Sequence, residues 1–471
     1  MTQNRDIRES MSSHTANKDL FEQARSYAYA YLDQMCDRAV FPSEEAISRL
    51  NVFDEPLPES PGDPARVLAL LHDFGSPATV AQTGGRYFGF VNGGALPVSV
   101  AARWLTDVWD QNPALYVMSP IVSQLETTCQ RWLRDIFSLP PGTVAGFVSG
   151  TSTATMCGLA AGRYAILKKL GWDVNSNGLY DAPRLCVVLG EQAHATVFKA
   201  LALLGLGNKN VQRVPVDNQG RMDVTRMPML DDHTLVIAQA GNVHTGAFDP
   251  FEEICDRANQ AGAWVHIDGA FGLWGAGSRR KRHLVNGIER ANSWSVDAHK
   301  TLNAPYDCGI ILCKDRDALV TAMQATGSYI QYGEKRDSML FTPEMSRRAR
   351  AVDLWATLKF LGRTGVEELV DGMCDRAVQF AEQLRREGFH ILNDVVFNQV
   401  LVSCDNPELT NETLSNIQAS GECWCGGSIW NGEPVIRVSV CSWVTTAADV
   451  DCSVAAFVEA RRKALSKVKL D

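Results

Sequence analysis

The spacing of apolar and polar positions changes several times along the chain. Residues 19–37 carry apolar side chains at the three- and four-residue spacing of an amphipathic helix. A proline-rich joint follows between residues 56 and 64, where a regular helix would be interrupted. This pattern predicts an N-terminal helical arm over residues 1–85 that lies outside the main core.

Between residues 140 and 315 the chain alternates short β-branched apolar runs with stretches of helical spacing. The predicted strands are residues 144–148, 185–189, 211–216, 235–239, 264–268, 294–297 and 309–313. Repeated strand-then-helix order predicts a mostly parallel sheet that is covered on both faces, in a large α/β domain over residues 86–345. Ligands of such sheets bind beyond the carboxyl ends of the strands. The residues that follow these runs are therefore the first candidates for a site.

The last part of the chain mixes helical and β-like patterns. A helical pattern covers residues 365–387, β-like runs cover residues 395–402 and 435–440, and a helical pattern covers residues 447–464. These elements are enough for a compact unit of domain size. They predict a smaller α+β domain over residues 346–471, so the expected fold class is α/β with two unequal domains.

Composition narrows the expected partners and location. The formal net charge of −9 argues against nucleic acid or an anionic membrane surface as the main partner, and no apolar run reaches membrane-spanning length. The first 20 residues lack the apolar centre of a signal peptide, so we expect a cytoplasmic protein. The 13 cysteines are scattered, and Cys423 and Cys425 match no zinc spacing, so reduced thiols and no metal site are expected. A small-molecule partner fits best.

A lysine follows one of the predicted strands, and an aspartate ends another. Lys300 follows the run at residues 294–297 beside His299, and Asp268 ends the run at residues 264–268. Lysine amines attack carbonyls when desolvation or a nearby cation lowers their pKa, and this attack makes the Schiff bases of pyridoxal phosphate enzymes. Such enzymes also need an acid that keeps the pyridine nitrogen of the cofactor protonated. Lys300 and Asp268 therefore indicate a pyridoxal phosphate site.

Two further groups are expected at the same edge of the sheet. Gly150, Thr151 and Ser152 lie between a strand and a helix, where free backbone N–H groups and hydroxyls bind phosphate, although a well-capped helix has the same pattern. The segment is neither a Walker loop nor a Gly-x-Gly-x-x-Gly motif. His194 follows another strand and could stack on an aromatic ring, or could be an ordinary loop histidine. One ligand would explain all of these residues together.

This order of motifs resembles the pyridoxal phosphate-dependent group II amino acid decarboxylases, relatives of the aromatic amino acid and glutamate decarboxylases. The resemblance covers about residues 80–460 and is strongest at residues 150–155, 192–194, 266–270 and 297–300. It implies the aspartate aminotransferase-like fold (pyridoxal phosphate fold type I), pyridoxal 5'-phosphate as cofactor, and decarboxylation of an L-amino acid to an amine and CO2. It also implies a homodimer with the active site at the interface, which the N-terminal arm suits.

The resemblance also implies roles for individual residues. Lys300 would form the Schiff base with the cofactor, and Asp268 would pair with its pyridine nitrogen. His194 would stack on one face of the ring, with Ala270 on the opposite face. The positions that match phosphate ligands of the family are Gly150, Thr151, Ser152 and His299. The resemblance thus assigns a residue to each part of the cofactor.

Other positions match the family less closely. Asn242 stands where the family often has a threonine near the cofactor, and Phe90 and Asn92 match a segment of the substrate carboxylate pocket. In the family a tyrosine on a mobile loop is thought to protonate the carbanion, and that loop would be residues 324–346 here. The alignment puts Asp337 or Ser338 at the position of this tyrosine. The donor could instead be Tyr329, Tyr332 or another residue, and the two tyrosines could simply pack in the loop.

Several questions stay open at the level of the sequence. Arg347 and Arg348 could attract an acidic substrate or pair with neighbouring acids, and Arg437 is similar to an arginine on a C-terminal strand of the family. The same cofactor also supports aldehyde-forming oxidative decarboxylases, carbon–carbon lyases and aminotransferases. A catalytically silent cofactor-binding protein is a further alternative, which the joint presence of Lys300, Asp268 and His194 disfavours.

Overall fold

A helical arm begins the chain in the computed structural model, which describes residues 7–325, 327 and 332–468. The helices of the arm are α1 (Ile7–Asn17), α2 (Asp19–Gln34), α3 (Glu44–Ser48) and α4 (Pro64–Leu70). None of these four described helices contains a fully buried side chain. The helix predicted over residues 19–37 is thus observed as α2, on the outside of the molecule. The domain boundaries at residues 85 and 345 stay predictions.

A seven-stranded sheet forms the centre of the large α/β part. Its strands are β1 (Val144–Val148), β2 (Cys186–Gly190), β3 (Val211–Val214), β4 (Thr234–Gln239), β5 (Trp264–Asp268), β6 (Ser293–Asp297) and β7 (Gly309–Cys313). The strand order is β1-β7-β6-β5-β4-β2-β3, and of these strands β7 runs antiparallel to both of its neighbours. The prediction of a mostly parallel sheet in an α/β fold is confirmed.

Helices cover both faces of this sheet. They are α5 (Pro97–Trp109), α6 (Pro120–Ile136), α7 (Thr151–Lys169), α8 (Val174–Asn177), α9 (Ala195–Leu203), α10 (Phe251–Ala261) and α11 (Arg316–Met323). All six residues of β4 are buried, and alternate side chains point to opposite faces. Val236 packs in the same cluster as Phe251 of α10, whereas Leu235 packs in the same cluster as Leu159 of α7. This two-sided burial explains the continuous apolar strands of the sequence.

The smaller α+β part follows the large sheet. Its elements are α12 (Arg350–Arg386), β8 (His390–Ile391), β9 (Gln399–Ser403), α13 (Pro407–Ser420), β10 (Gly426–Trp430), β11 (Glu433–Ser439) and α14 (Ala447–Val468). The four strands form an antiparallel sheet in the order β10-β11-β9-β8. Phe380 of α12, Ile436 of β11 and Phe457 of α14 belong to one buried cluster. Packing of the three long helices on this sheet thus gives the second part a core of its own.

The sequence pattern and the structure differ at two places in this part. The helix predicted from residue 365 is the second half of α12, because Gly362 has a non-helical conformation (φ 58°, ψ −167°) that interrupts the helix. Strand β10 was not predicted, since its first two residues, Gly426 and Gly427, have little intrinsic preference for strands. Antiparallel pairing with β11 forms this strand. Tertiary contacts therefore override a weak local signal.

Three further observations concern the described part of the chain. There, no helix combines the length and apolar character needed to cross a bilayer. The same residues contain no group of three or more histidine, cysteine, aspartate or glutamate side chains arranged to hold a metal ion. All 13 cysteines are free thiols, and most of them are buried.

Candidate active site

A cavity of about 470 Å³ lies at the carboxyl edge of the large sheet. The residues predicted from the sequence that line it are Phe90, Gly150, Thr151, Ser152, His194, Asp268, Ala270, His299 and Lys300. They come from separate segments of the chain, and the parallel register of β4, β5 and β6 brings several of them together. Asp268 pairs with Gln239 on one side and with Ser295 on the other. The sheet edge therefore assembles the predicted constellation in one cavity.

Lys300 stands at the turn that follows β6. Its Nζ lies 3.1 Å from Oδ2 of Asp297, and 21% of its side chain is exposed, toward the cavity. Residues of the segment before α5 pack directly against the lysine backbone, because a Cβ atom built on Gly93 would stand 2.2 Å from the Lys300 carbonyl oxygen. The amine is thus held in place by its backbone and presented to the cavity.

Asp268 is the buried acid of the cavity. Burial raises the pKa of this carboxyl, while the nearby His194 and Lys300 oppose that shift. The backbone N–H of Ala270 donates a hydrogen bond of 3.2 Å to Oδ1 of Asp268. A carboxylate in such surroundings is stable only when a cation lies against it. The site can therefore hold a protonated ring nitrogen beside Asp268.

His194 caps helix α9 with its own ring. Its Nδ1 accepts a hydrogen bond of 3.3 Å from the backbone N–H of Thr196 and lies 2.7 Å from the Thr196 hydroxyl. Burial lowers the pKa of His194, Asp268 opposes this shift, and Lys300 adds to it. The capping bonds orient the ring, which lines the cavity.

The amino end of helix α7 forms a cradle with the groups expected of a phosphate site. Gly150 precedes the helix without a side-chain cap, and the buried Oγ1 of Thr151 has no hydrogen-bond partner among the described residues. Ser152 is exposed in the first turn. An unpartnered Thr151 hydroxyl, an exposed serine and the positive end of a 19-residue helix are well suited to an anion. The residues present therefore fit the phosphate group of the predicted cofactor.

His299 closes the other side of this cradle. Its Nδ1 accepts a hydrogen bond of 3.1 Å from the Cys308 backbone N–H, so its Nε2 carries the proton of the neutral ring. That Nε2 lies 3.6 Å from Oδ2 of Asp297. Burial lowers the pKa of His299, and the charge of Asp297 opposes the shift. His299 thus presents an N–H donor at the start of helix α7.

Two predicted residues do not line the cavity. The Oδ1 atom of Asn242 accepts hydrogen bonds from the backbone N–H groups of His244 and Thr245, so this side chain folds back into its own turn. Asn92 donates to Gln82 and accepts a hydrogen bond of 3.0 Å from the hydroxyl of Tyr306. Both side chains hold loops beside the cavity. Their direct contact with cofactor or substrate stays a prediction.

The proton donor is not resolved by the geometry. Tyr329 lies outside the described residues, and Tyr332 donates from its hydroxyl to the Ala325 carbonyl oxygen, away from the cavity lining. Asp337 and Ser338 are buried, and Asp337 accepts a hydrogen bond of 2.8 Å from the Tyr116 backbone N–H. These last two residues thus serve the packing of the loop. The catalytic role of either tyrosine stays a prediction.

Arg347 and Arg348 pair with acids of the protein rather than face the cavity. Arg347 donates to Glu126 over 2.6 Å, and Arg348 donates to Asp353 over 2.5 Å. Both arginines are at least partly buried, so these are internal ion pairs and not solvated charges. The alternative in which they pair with neighbouring acids fits the structure.

Arg437 was noticed in the sequence without a role, and the structure places it in the cavity wall. It lies on β11 of the smaller part, between Gly426 of β10 and Leu401 of β9. Burial lowers the pKa of Arg437, and no carboxylate of the described residues forms an ion pair with it. Its signals in the sequence were a charge in the middle of an apolar strand and the similarity to an arginine on a C-terminal strand of the family. A buried guanidinium without an internal partner is suited to an anionic ligand.

Asp297 is a second functional candidate that the motif analysis left without a role. Its Oδ1 accepts a hydrogen bond of 2.7 Å from the Thr151 backbone N–H, and its Oδ2 contacts both Lys300 and His299. It therefore lies between the candidate phosphate cradle and the lysine. The signal was present in the sequence, since Asp297 stands three residues before Lys300.

Comparison with known proteins identifies the family of this chain. The model of the pyridoxal-dependent decarboxylase conserved domain matches residues 59–404. An aromatic-L-amino-acid decarboxylase of Bacillus atrophaeus is 27% identical over 383 residues, which cover 77% of this chain and 77% of that protein. An acidic amino acid decarboxylase of Mus musculus is 29% identical over 330 residues, which cover 67% of this chain and 59% of that protein. The similarity to the mouse protein thus spans less than two thirds of its length.

Solved structures show the same fold at lower sequence identity. The crystal structure of Oryza sativa TDC with PLP and tryptamine has a TM-score of 0.87 and 20% identity, and the match covers 98% of this chain and 99% of that one. The crystal structure of mouse CSAD in apo form has a TM-score of 0.86 and 21% identity, with coverage of 95% and 99%. These similarities establish the fold type that was predicted from the motifs.

Proposed function

The chain belongs to the pyridoxal-dependent decarboxylase family, so that pyridoxal 5'-phosphate is its cofactor and amino acid decarboxylation its reaction, and we propose that both take place in the cavity at the carboxyl edge of the large sheet. The observation that carries this assignment is the position of Lys300 and Asp268 in one cavity beside the start of helix α7. An amine, a buried acid and an anion cradle are the three features that this cofactor requires.

Each part of the cavity has a task in this proposal. The bound cofactor supplies an electron sink for the carbanion that remains after CO2 leaves. Lys300 holds the cofactor through its amine, and Asp268 keeps the ring nitrogen protonated. His194 supports one face of the ring, with Ala270 on the other face. Thr151, with Gly150, Ser152 and His299, holds the phosphate group.

Orientation of the substrate is the main task of the remaining walls. Loss of CO2 requires the leaving carboxylate to stand perpendicular to the ring plane, so the protein must fix this angle. Phe90 and Val91 form one wall with two successive left-handed backbone conformations (φ 53° and 60°). Such conformations are costly for residues other than glycine and are concentrated at functional sites. The strained segment therefore contributes to positioning the substrate.

Arg437 favours a substrate with an acidic side chain. A cation that pairs with the reacting carboxylate would stabilise the ground state, because this charge disappears as CO2 leaves. If the cation instead pairs with a second carboxylate on the substrate, that carboxylate keeps its charge throughout the reaction. Binding through it then carries no such penalty. Since Arg437 has no internal carboxylate partner, we propose that it binds an acidic group on the substrate side chain.

Aromatic side chains near the opening of the cavity favour aromatic amino acids as a second substrate class. Phe90 stacks on Trp424 with ring centroids 5.7 Å apart, and Trp424 stacks on Tyr87 at 5.3 Å. Phe90 remains 63% exposed, so its ring could contact an aromatic substrate. The two relatives named above differ in the same way, one being named for aromatic and the other for acidic amino acids.

A panel of L-amino acids with separate product analysis tests the proposal. The holoenzyme is incubated with acidic, aromatic, basic and aliphatic amino acids, and CO2, amine, aldehyde, hydrogen peroxide and keto acid are measured separately. We expect equal amounts of CO2 and amine, with acidic substrates preferred. Aldehyde with hydrogen peroxide would indicate the oxidative reaction, keto acid would indicate transamination, and turnover confined to aromatic substrates would contradict the role of Arg437.

The Arg437→Met variant tests that role directly. We expect KM for an acidic substrate to rise by about 10- to 100-fold, with a smaller change in kcat, because a hydrogen-bonded charge contact contributes about 1.5–3 kcal/mol. The Arg437→Lys variant, which keeps the charge, should lose less. An unchanged KM in the methionine variant, with cofactor binding intact, would remove Arg437 from the substrate pocket.

We also propose that the chain is a homodimer. Helix α2 exposes Phe21 (53%) and helix α5 exposes Val108 (76%) and Trp109 (43%), although side chains of this size are usually covered. A second copy of the chain would cover them. Light scattering of the wild-type protein should give the mass of a dimer, and Val108→Glu should shift it toward the monomer. A monomeric wild-type protein at micromolar concentration would contradict the proposal.

A further inference from the structure

A carboxylate caps the amino end of helix α7. Oδ1 of Asp297 accepts a hydrogen bond of 2.7 Å from the Thr151 backbone N–H, the first N–H of helix α7. The side chain is 3% exposed, and the Trp274 indole N–H donates to its backbone carbonyl over 2.8 Å. Asp297 therefore fills the anion-binding end of the helix with the protein's own negative charge.

A carboxylate and a phosphate cannot both occupy this position at full charge. A phosphate monoester carries about −1.5 to −2 charges at neutral pH, and like charges at close range in a buried site repel strongly. The free hydroxyl of Thr151 and the N–H of His299 remain for the phosphate, but the Thr151 backbone N–H is already in use. Entry of the phosphate thus requires Asp297 to move or to lose its charge.

We propose that Asp297 is a placeholder for the cofactor phosphate, released from the Thr151 N–H when the phosphate binds, and that the Asp297 carboxylate takes up one proton from solvent in the same step. This inference rests on the proposed function, since it assumes that the phosphate binds at the start of helix α7. In the cofactor-free protein the negative charge of Asp297 balances the positive charge of Lys300. When the phosphate enters as a second anion, the proton that is taken up compensates for the added negative charge.

The charged groups around Asp297 are consistent with this proton uptake. Lys300 and His299 contact the carboxylate, and Asp268, His194 and Tyr306 lie near enough to interact with it electrostatically. His299 is not the acceptor, because its Nδ1 accepts a hydrogen bond from the Cys308 backbone N–H and its Nε2 already carries the ring proton. Asp268 already faces the cation of the ring nitrogen in the proposed complex. The Asp297 carboxylate is therefore the acceptor closest to the phosphate.

Binding of a phosphate ligand that cannot react with Lys300 tests the inference. Pyridoxine 5'-phosphate lacks the aldehyde and is titrated into cofactor-free protein by calorimetry at several pH values above about 7, where the ligand is mostly a dianion. For the wild-type protein we expect affinity to fall by up to about tenfold for each unit of rising pH, the limit for one linked proton. Asp297→Asn should bind at least about tenfold more tightly near pH 8 and lose most of this slope.

Controls separate this inference from the proposed function. Asp249 is a buried acid in the loop between β4 and α10 that accepts from the backbone N–H groups of Met222 and Gln239, so Asp249→Asn should bind like the wild-type protein. If Asp297→Asn does not fold, Asp297→Ser should show the same gain and loss of slope. Equal or weaker binding by either Asp297 variant, with the wild-type slope, overturns the placeholder alone. If the ligand binds neither wild type nor variant, the phosphate site itself is wrong and the proposed function fails with it.

Discussion

The Lys300→Ala protein should lack the visible absorption band of the bound cofactor and lose at least about a thousandfold of its turnover, because it has no amine to bond with the cofactor aldehyde. Lys300 is the lysine that lines the cavity, and Asp297 lies 3.1 Å from its Nζ. Folding should be little affected, since part of this side chain faces the cavity. Absorption spectra after addition of pyridoxal 5'-phosphate, together with CO2 release, measure both effects.

Lys314 provides a matched control for this experiment. It also follows a strand, β7, but β7 runs antiparallel to its neighbours, so Lys314 lies at the opposite edge of the sheet. Lys314→Ala should keep both the absorption band and turnover. A Lys300→Ala protein that retains the band would show that another group holds the cofactor, and the assignment of the cavity would then be wrong.

The Asp268→Asn protein should still bind the cofactor but lose about 10²- to 10³-fold in kcat, comparable to the loss of one preorganised electrostatic contact in other active sites. An amide cannot stabilise a proton on the ring nitrogen, and without that charge the carbanion left by CO2 is less stable. Asp268 is buried, with 5% of its surface exposed, so water substitutes poorly for the carboxylate. Single-turnover rates of CO2 release separate this chemical step from binding.

A modified cofactor tests whether the rate loss predicted for the Asp268 variant comes from the lost charge. Pyridoxal 5'-phosphate methylated at its ring nitrogen carries a permanent positive charge and needs no acid to maintain it. This compound should restore at least about tenfold of the lost rate in a smaller variant, Asp268→Ala, which also makes room for the methyl group. The absence of any rescue, with the compound bound, would mean that Asp268 acts through structure and not through charge.

Part of the candidate site could be predicted from the local sequence, because the apolar pattern of each strand shows where that strand ends. Asp268 and Lys300 close apolar runs, and in a parallel sheet the carboxyl ends of such runs lie at one edge. The helix start at Gly150 and the position of His194 follow from the same rule. The cavity therefore contains most of the residues that the motifs singled out, although the antiparallel direction of the predicted strand β7 was not foreseen.

Side-chain direction could not be inferred in the same way. Asn242 stands in the right segment, but its amide accepts hydrogen bonds from its own turn, a local alternative always available to asparagine. The hydroxyl of Tyr332 contacts the carbonyl oxygen of Ala325, which no residue spacing would reveal. For both residues the sequence predicted the segment of the chain but not the hydrogen bonds of the side chain.

The sequence by itself indicated the fold class and the cofactor and predicted the amine and the acid of the site, since these predictions depend on the order of strands and on the residues that end them. Only the tertiary structure placed Arg437 in the cavity, because β11 belongs to a separate sheet whose position depends on the packing of α12, α13 and α14. Only the structure showed Asp297 at the start of helix α7, 146 residues away from Thr151 along the chain. Long-range contacts of this kind leave no local pattern, so the roles proposed for Arg437 and Asp297 could be argued only from the structure.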